Sequence, residues 1–384
     1  MNNQESPGMQ PPYDAAKLDR LMDAAGVDLV LTNTQHNARY LTGGYFYHFH
    51  ERFDAMGLGR YMALCGIPKG SPERAFLVGE RRETGQFEDQ NLWIPELIAT
   101  ERLPAAAAEA AAEAIKDRGL ENGTFAVELD FLPANSLAAL SKALPEAHFI
   151  EARGIMEELR AIKTPAELDI FRQITLDDAE VIGEVFTTSP PGSTTRELAR
   201  AIEDGMTVRG IHFLWVFTCA GSGMLRAPSA KVWEPGEVCH LDAGGSFEGY
   251  LTDVCRMGVR GKPSPLADEL FQACLTTQNK VREEVRAGAV CGDLYDSGFK
   301  HLADTGHGEY GEFIIHGVGL VSHELPRFGK GVERKLEEGM VVSIETDLLH
   351  PEVGYIKIED TVAITGDGCE GLGDIGRETW YVTD

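Results

Sequence analysis

Apolar positions in the first part of the chain switch between two spacings. Ala15–Ala25 carries them at helical intervals, Val27–Leu31 is a short apolar run of strand length, and Ala75–Val78 and Phe125–Leu129 repeat the strand character between further helical stretches. That alternation predicts an open α/β domain. Pro104–Lys116 is low in complexity, but alanine is the best helix former, and Glu109 and Glu113 keep one face wet. It reads as a surface helix of that domain, not as a linker.

The organisation changes across residues 157–167. Thr164 is a good N-cap, Pro165 suits the first helical position and Glu167 completes a capping box, so a long helix is predicted to start there. A second box, Thr194 to Glu197, opens another helix after Ser193, and helical patterns recur over Leu266–Val285 and Gly292–Leu302. Strands are predicted at Leu214–Cys219, Val238–Gly244, Tyr250–Val259, Met340–Leu348 and Tyr355–Ile364, which are rich in β-branched residues and bounded by glycine. Strands with separate helices indicate α+β. The expected division is therefore an α/β domain over residues 1–155 and an α+β domain over residues 156–384. No short-period repeat is visible, although two halves, each a helix pair followed by strands, are compatible with a diverged duplication.

Length agrees with two domains, since 384 residues exceed what one core of about 150 serves. Charge narrows the partners. There are 35 Lys plus Arg against 61 Asp plus Glu, and the resulting −26 repels polyanions, so neither nucleic acid nor an anionic membrane surface is an expected partner. The polar Met1–Pro12 segment has no basic n-region or apolar h-region, and no apolar run reaches the roughly 20 residues of a spanning helix, so a cytoplasmic location is expected. The seven cysteines are scattered and lack any CxxC spacing, which argues for small buried thiols instead of disulfides or a structural zinc site.

The candidate chemistry lies in acids and a histidine embedded in apolar strands, because a buried charge without a partner is costly. Asp242 follows Val238–Leu241, and Asp253 lies in the returning strand. A hairpin is expected to set these two carboxylates side by side. His316 ends an apolar run leading into Gly317 and Gly319, which are expected to let the backbone pass close to a bound group. Glu345 and Glu359 are acids within strand-like stretches, the latter followed directly by Asp360. Four carboxylates and one imidazole suit two divalent first-row ions held roughly 3.5 to 4 Å apart by bridging carboxylates.

These segments (LeuAspAlaGlyGly, LeuThrAspValCysArg, HisGlyValGlyLeuValSerHisGlu, ValValSerIleGlu and IleLysIleGluAsp, in that order) resemble the creatinase and aminopeptidase superfamily. That superfamily has the pita-bread fold and includes methionine aminopeptidase, prolidase and Xaa-Pro aminopeptidase. LeuArgAlaIleLysThrProAlaGlu resembles the helix that opens its catalytic domain, and Asn37–Gly43 the start of its N-terminal domain. The resemblance implies an α/β N-terminal domain plus an α+β pita-bread catalytic domain. It further implies that Asp242 chelates one metal, His316 and Glu345 the other, and that Asp253 and Glu359 bridge them. Glu345 would also take a proton from water, and His323 would contact the substrate carbonyl. The metal would be manganese first, with cobalt, zinc or iron as alternatives, and the assembly a homodimer.

Two departures separate the chain from prolidase-like members. Where these carry a loop histidine before the first metal aspartate, the chain has Arg226, a permanent charge that can clamp a carboxylate but cannot shuttle a proton. His212 lies too far upstream to align, and His240 is expected to face away from Asp242. Lys357 stands where proline-specific relatives usually place an arginine, and both it and Arg226 are expected to bind substrate. Tyr45–Phe53, rich in aromatics and histidine, is a candidate lid over a partner's site or a packing segment.

The leading expectation is hydrolysis of a C–N bond in a small peptide-like substrate of the Xaa-Pro type. The alternative is a site redirected to a non-peptide metabolite, as in creatinase or the sulfoniopropionate lyase. A non-catalytic binding module is a third reading, which the complete ligand set disfavours.

Overall fold

The computed structural model describes residues 10–44, 62–89, 92–101 and 103–383, so the aromatic stretch at residues 45–53 lies outside it. The chain forms two compact units, Met1–Arg160 and Ala161–Asp384.

In the first unit, six strands form one sheet: β1 (Leu29–Thr32), β2 (Leu64–Pro68), β3 (Phe76–Glu80), β4 (Glu96–Thr100), β5 (Thr124–Val127) and β6 (His148–Glu151), ordered β4-β3-β2-β1-β5-β6. Parallel pairs (β1–β5, β5–β6, β3–β4) are joined by the antiparallel pairs β1–β2 and β2–β3. Both faces are covered. Val30 joins a cluster with Leu18 and Met22 of the Ala15–Ala25 helix, whereas Leu29 and Leu31 join Ala108 and Ile115 of the Pro104–Lys116 helix. Burial on two sides explains why β1 reads as a continuous apolar run. β2, β4 and β6 carry weaker patterns, and hydrophobic spacing alone did not indicate them. Beside β1, buried Glu128 accepts from the Thr34 backbone N–H (2.7 Å) and from Asn37 Nδ2 (2.7 Å), which fixes the start of the Gln35–Thr42 helix.

In the second unit a nine-stranded sheet, counted among the described residues, carries the antiparallel path β11-β12-β13-β10-β8-β7. These strands are β7 (His212–Ala220), β8 (Val238–Phe247), β9 (Tyr250–Leu251), β10 (Val254–Arg260), β11 (Gly311–Gly317), β12 (Val341–His350), β13 (Gly354–Ile364), β14 (Cys369–Leu372) and β15 (Tyr381–Thr383). β9, β14 and β15 attach to β8, β13 and β10. β8 turns into β9 through Glu248 and Gly249, both at positive φ (52° and 87°), the backbone of a tight two-residue hairpin. The single strand expected at Tyr250–Val259 is broken at Thr252 and Asp253. There the Thr252 hydroxyl accepts from the Gly245 N–H at 2.9 Å, replacing a ladder bond.

Both capping boxes are formed: Thr164 and Glu167 open the Pro165–Thr188 helix, and Thr194 and Glu197 open Thr195–Val208. Helices cover one face of the sheet. Leu270, Cys274 and Val281 of the Pro265–Glu284 helix pack with Ile344, Ile356 and Ile358. Ile182 and Phe186 pack with Cys239, Leu241 and Ala243 of β8. Successive residues on a strand point to opposite faces, so the neighbours of these core residues, His240, Asp242, Glu345, Lys357 and Glu359, share the other face.

Candidate active site

A row of paired residues crosses that face. Asp242 on β8 stands opposite Cys255 on β10, Cys255 opposite Glu359 on β13, and Glu359 opposite Glu345 on β12. His316 on β11 lies opposite Ser343, two residues from Glu345. The expected side-by-side pairing of Asp242 and Asp253 is corrected by this register: Cys255 takes the place across from Asp242, and Asp253 sits just before β10, where the strand is interrupted. The Thr361 hydroxyl donates to the Asp253 carbonyl at 2.9 Å and holds it there.

All five candidate ligands are buried, and they converge. His316 Nε2 lies 3.0 Å from Glu345 Oε1, 3.8 Å from Glu359 Oε1 and 3.9 Å from Asp253 Oδ2. Asp242 joins them through Lys357, whose Nζ is 2.7 Å from Asp242 Oδ2, 2.6 Å from Glu345 Oε2 and 2.9 Å from Glu359 Oε2. The His316 and His323 rings stack at 3.8 Å, and Ser322 Oγ lies 3.1 Å from His323 Nδ1.

Arg226 is seated by its backbone, whose carbonyl accepts from the Thr218 N–H of β7 at 2.8 Å. Its guanidinium lies 4.6 Å over Phe217 and 5.3 Å over Tyr355, and Nη2 donates to Asp242 Oδ2 at 3.1 Å. With Tyr355 and Asp347 it lines a cavity of about 460 Å³.

Two further expectations are corrected. His240, two residues from Asp242 on one strand, faces the same side and packs against the Tyr355 ring with centroids 4.9 Å apart, because residues i and i+2 share a face. Gly317 and Gly319 make room for the chain itself, since a Cβ at Gly317 would meet the Leu325 backbone and one at Gly319 the Glu324 carboxylate.

Electrostatics follows from burial. It pushes Asp242 up to about 6 despite Lys357, and it raises Asp253 well above the usual carboxylate value with help from the Glu359 charge. Glu359 is also opposed by burial, but the Lys357 ammonium and His316 outweigh it and hold the group low. Burial opposes the charge on His316 as well, yet hydrogen bonds to Glu345 and Glu359 raise it well above an ordinary imidazole, while burial and the His316 charge lower His323. Acids crowded at hydrogen-bonding distance in a desolvated pocket need cations. Carboxylate oxygens with imidazole nitrogen are the donor set of divalent first-row ions, so these residues fit metal binding.

Several supporting residues are given no role by the motifs. Gln278 Nε2 donates to the Ile344 and Ile358 carbonyls (2.6 and 2.7 Å), clamping β12 to β13 beside Glu345 and Glu359. Ser343 donates to Glu359 Oε1 at 2.8 Å. Buried Arg256 donates to the Glu359 carbonyl (2.8 Å) and pairs with Asp360 (2.9 Å). Counting by twos from Asp242, Glu345 and Glu359 places His240, Asp347 and Tyr355 on the site face. Nothing local marks Gln278.

Residues 170–366 match metallopeptidase family M24, and residues 15–162 match the creatinase/prolidase N-terminal domain. The chain belongs to metallopeptidase family M24. It is 27% identical to the Xaa-Pro dipeptidase of Pyrococcus horikoshii, covering 94% of this chain and 97% of that protein. It is 30% identical to the Xaa-Pro dipeptidase of Lactobacillus delbrueckii subsp. lactis, over 70% and 75%. The solved structure of an Xaa-Pro dipeptidase from Bacillus anthracis superposes with a TM-score of 0.83 at 25% identity, covering 96% of this chain and all of that one. This M24 member is a metal-dependent hydrolase, with a creatinase-type α/β domain followed by a pita-bread catalytic domain.

Proposed function

We propose that the chain is an Xaa-Pro dipeptidase-like enzyme that hydrolyses the C–N bond of a small peptide. The observation that carries this reading is the convergence of Asp242, Asp253, His316, Glu345 and Glu359 on one sheet face, with His323 against His316. Asp242 would hold one divalent ion, His316 and Glu345 the other, with Asp253 and Glu359 shared. Bound there, the ions would activate water and polarise the scissile carbonyl. Glu345 is the proton acceptor for the attacking water. His323 donates to the carbonyl oxygen as charge develops there, and its lowered affinity for a proton keeps it a neutral hydrogen-bonding ring. Arg226 faces the open cavity and receives the substrate carboxylate, with Lys357 supplying further positive charge behind Asp242.

Manganese is the proposed metal, and a cytoplasmic homodimer with its chemistry confined to residues 156–384 the proposed state. No helix among the described residues is long and apolar enough to cross a membrane. The non-peptide alternative draws on one observation, the Arg226–Asp242 contact at 3.1 Å, at the position where the resemblance to prolidase-like members implies a loop histidine. The test is a manganese-supplemented panel of Xaa-Pro dipeptides, longer Xaa-Pro peptides and small betaine, ureido or cyclic amidine compounds. Turnover confined to the non-peptides would replace the dipeptidase reading.

A further inference from the structure

Two residues along the strands from Glu345 and Glu359, the site face carries a second row. Glu312 on β11 is registered on Asp347 of β12, and Asp347 on Lys357 of β13. Like charges directly opposite each other on neighbouring strands destabilise a sheet unless a cation lies close. Lys357, the cation of this row, is turned away from it to Asp242, Glu345 and Glu359 at 2.7, 2.6 and 2.9 Å. Asp347 is only 7% exposed, and although its Oδ2 accepts from the Tyr355 hydroxyl at 2.7 Å, its Oδ1 has no hydrogen-bond partner. Glu312 is exposed and forms no ion pair among the described residues.

Both carboxylates line the cavity that Arg226 bounds, together with Glu309, Tyr310 and Leu349. Sheet order separates the charges around it. Glu309 and Glu312 lie just before and within β11, at one end of the strand path, whereas the Arg226 backbone is bonded to β7, at the other. The cavity therefore has an acidic end and a basic end. A buried carboxylate with an unfilled acceptor, in the wall of a chamber of about 460 Å³, is completed by a bound donor, and among three acids that donor is a cation.

We propose that this acidic end is the subsite for a positively charged side chain on the first residue of the substrate, so that Lys-Pro and Arg-Pro are the preferred dipeptides. This rests on the dipeptidase reading and deepens it. Glu345 acts at the scissile carbonyl, which belongs to the first residue, and Asp347 lies two residues further along β12, about 7 Å away. A lysine or arginine stem covers that distance, lays its methylenes against Leu349 and Tyr310, and brings its charged head to Asp347 and Glu312. The substrate carboxylate stays with Arg226 at the opposite end.

The test compares Lys-Pro, norleucine-Pro, which keeps the stem without the charge, and Glu-Pro on the Mn²⁺-loaded full-length protein. The kcat/KM for Lys-Pro is expected to exceed that for norleucine-Pro by at least about 10-fold, with Glu-Pro below both. Glu312→Gln, at an exposed position, and Asp347→Asn are each expected to bring the Lys-Pro to norleucine-Pro ratio within about 3-fold, and Glu312→Lys to raise Glu-Pro above Lys-Pro. A merely structural role would lower all the rates together and leave the ratio unchanged. Should Asp347→Asn not fold, Glu312→Gln decides alone. A ratio near one in the wild type, or an unchanged ratio in Glu312→Gln, would overturn the proposal. Calorimetric binding of the Lys-Pro and norleucine-Pro analogues whose scissile carbonyl is reduced to a methylene, which cannot be hydrolysed, separates the two claims. Tighter binding of the lysine analogue with no turnover of any dipeptide removes only the dipeptidase reading, whereas turnover of Lys-Pro and norleucine-Pro at equal rates removes only this inference.

Discussion

Glu345 and Glu359 stand directly opposite each other on β12 and β13, both buried, with Oε1 of each turned towards His316 Nε2 at 3.0 and 3.8 Å. Two carboxylates so placed repel unless cations lie between them. That requirement ties the fold of this edge of the sheet to what it binds.

The proposed shared ligands are expected to be the most sensitive positions. Asp253→Ala and Glu359→Ala are each expected to abolish turnover and to lower bound metal, measured by elemental analysis after gel filtration, because each is proposed to serve both ions. Normal metal content with normal turnover in either variant would remove the ligand assignment.

His323 sits against His316 without belonging to the carboxylate row, so His323→Ala is expected to leave metal content near the wild-type level while kcat falls by about 10² or more, the loss typical of one transition-state donor. A loss of metal equal to that in Asp253→Ala would make His323 a ligand.

Arg226 should separate acids from neutral analogues. Its guanidinium lies over the Phe217 and Tyr355 rings at the cavity, so a substrate with a free carboxylate is expected to have a lower KM than its amide. Arg226→Ala is expected to raise KM for the acid far more than for the amide, and Arg226→Lys to restore part of the difference. Equal changes for both substrates would assign Arg226 to fixing Asp242 alone.

Asp360 gives a pH-dependent stability test away from substrate. Burial opposes its charge, but Arg256, Arg377 and Arg282 at 2.9, 2.8 and 3.4 Å outweigh it and hold the carboxyl below its usual value. A depressed folded value means the stabilisation is complete above the unfolded value of about 3.9 and is lost as pH falls through the folded one. Asp360→Asn is therefore expected to cost about 3 to 5 kcal/mol at pH 7, the price of stranding buried guanidinium groups, with the difference shrinking below about pH 4. Denaturant unfolding across that range checks both, and a pH-independent difference would argue against the ion-pair origin.

How far these features were legible depended on how local their causes are. Both capping boxes could be read because N-cap and N3 lie three residues apart, and the alternation of Ile356 and Ile358 with Lys357 and Glu359 marked β13 directly. The break at Thr252 and Asp253 could not be read, because it depends on a bond to Gly245 across the hairpin. The same holds for Cys255 in the middle of the acidic row and for Gln278 clamping two carbonyls from a helix, both matters of register between segments distant in sequence. His240 was within reach of the period-two rule that places it beside Asp242, and the expectation that it faces away broke that rule.

The most direct measurement is the initial rate of hydrolysis of an Xaa-Pro dipeptide by the purified protein, stripped of metal and then reloaded with Mn²⁺, beside the same dipeptide with a C-terminal amide and a dipeptide lacking proline. A metal-restored rate on the Xaa-Pro acid that exceeds both controls, and that Glu345→Gln eliminates, is the expected result. A rate that does not depend on added metal, or that survives Glu345→Gln, would contradict the proposed site and its function.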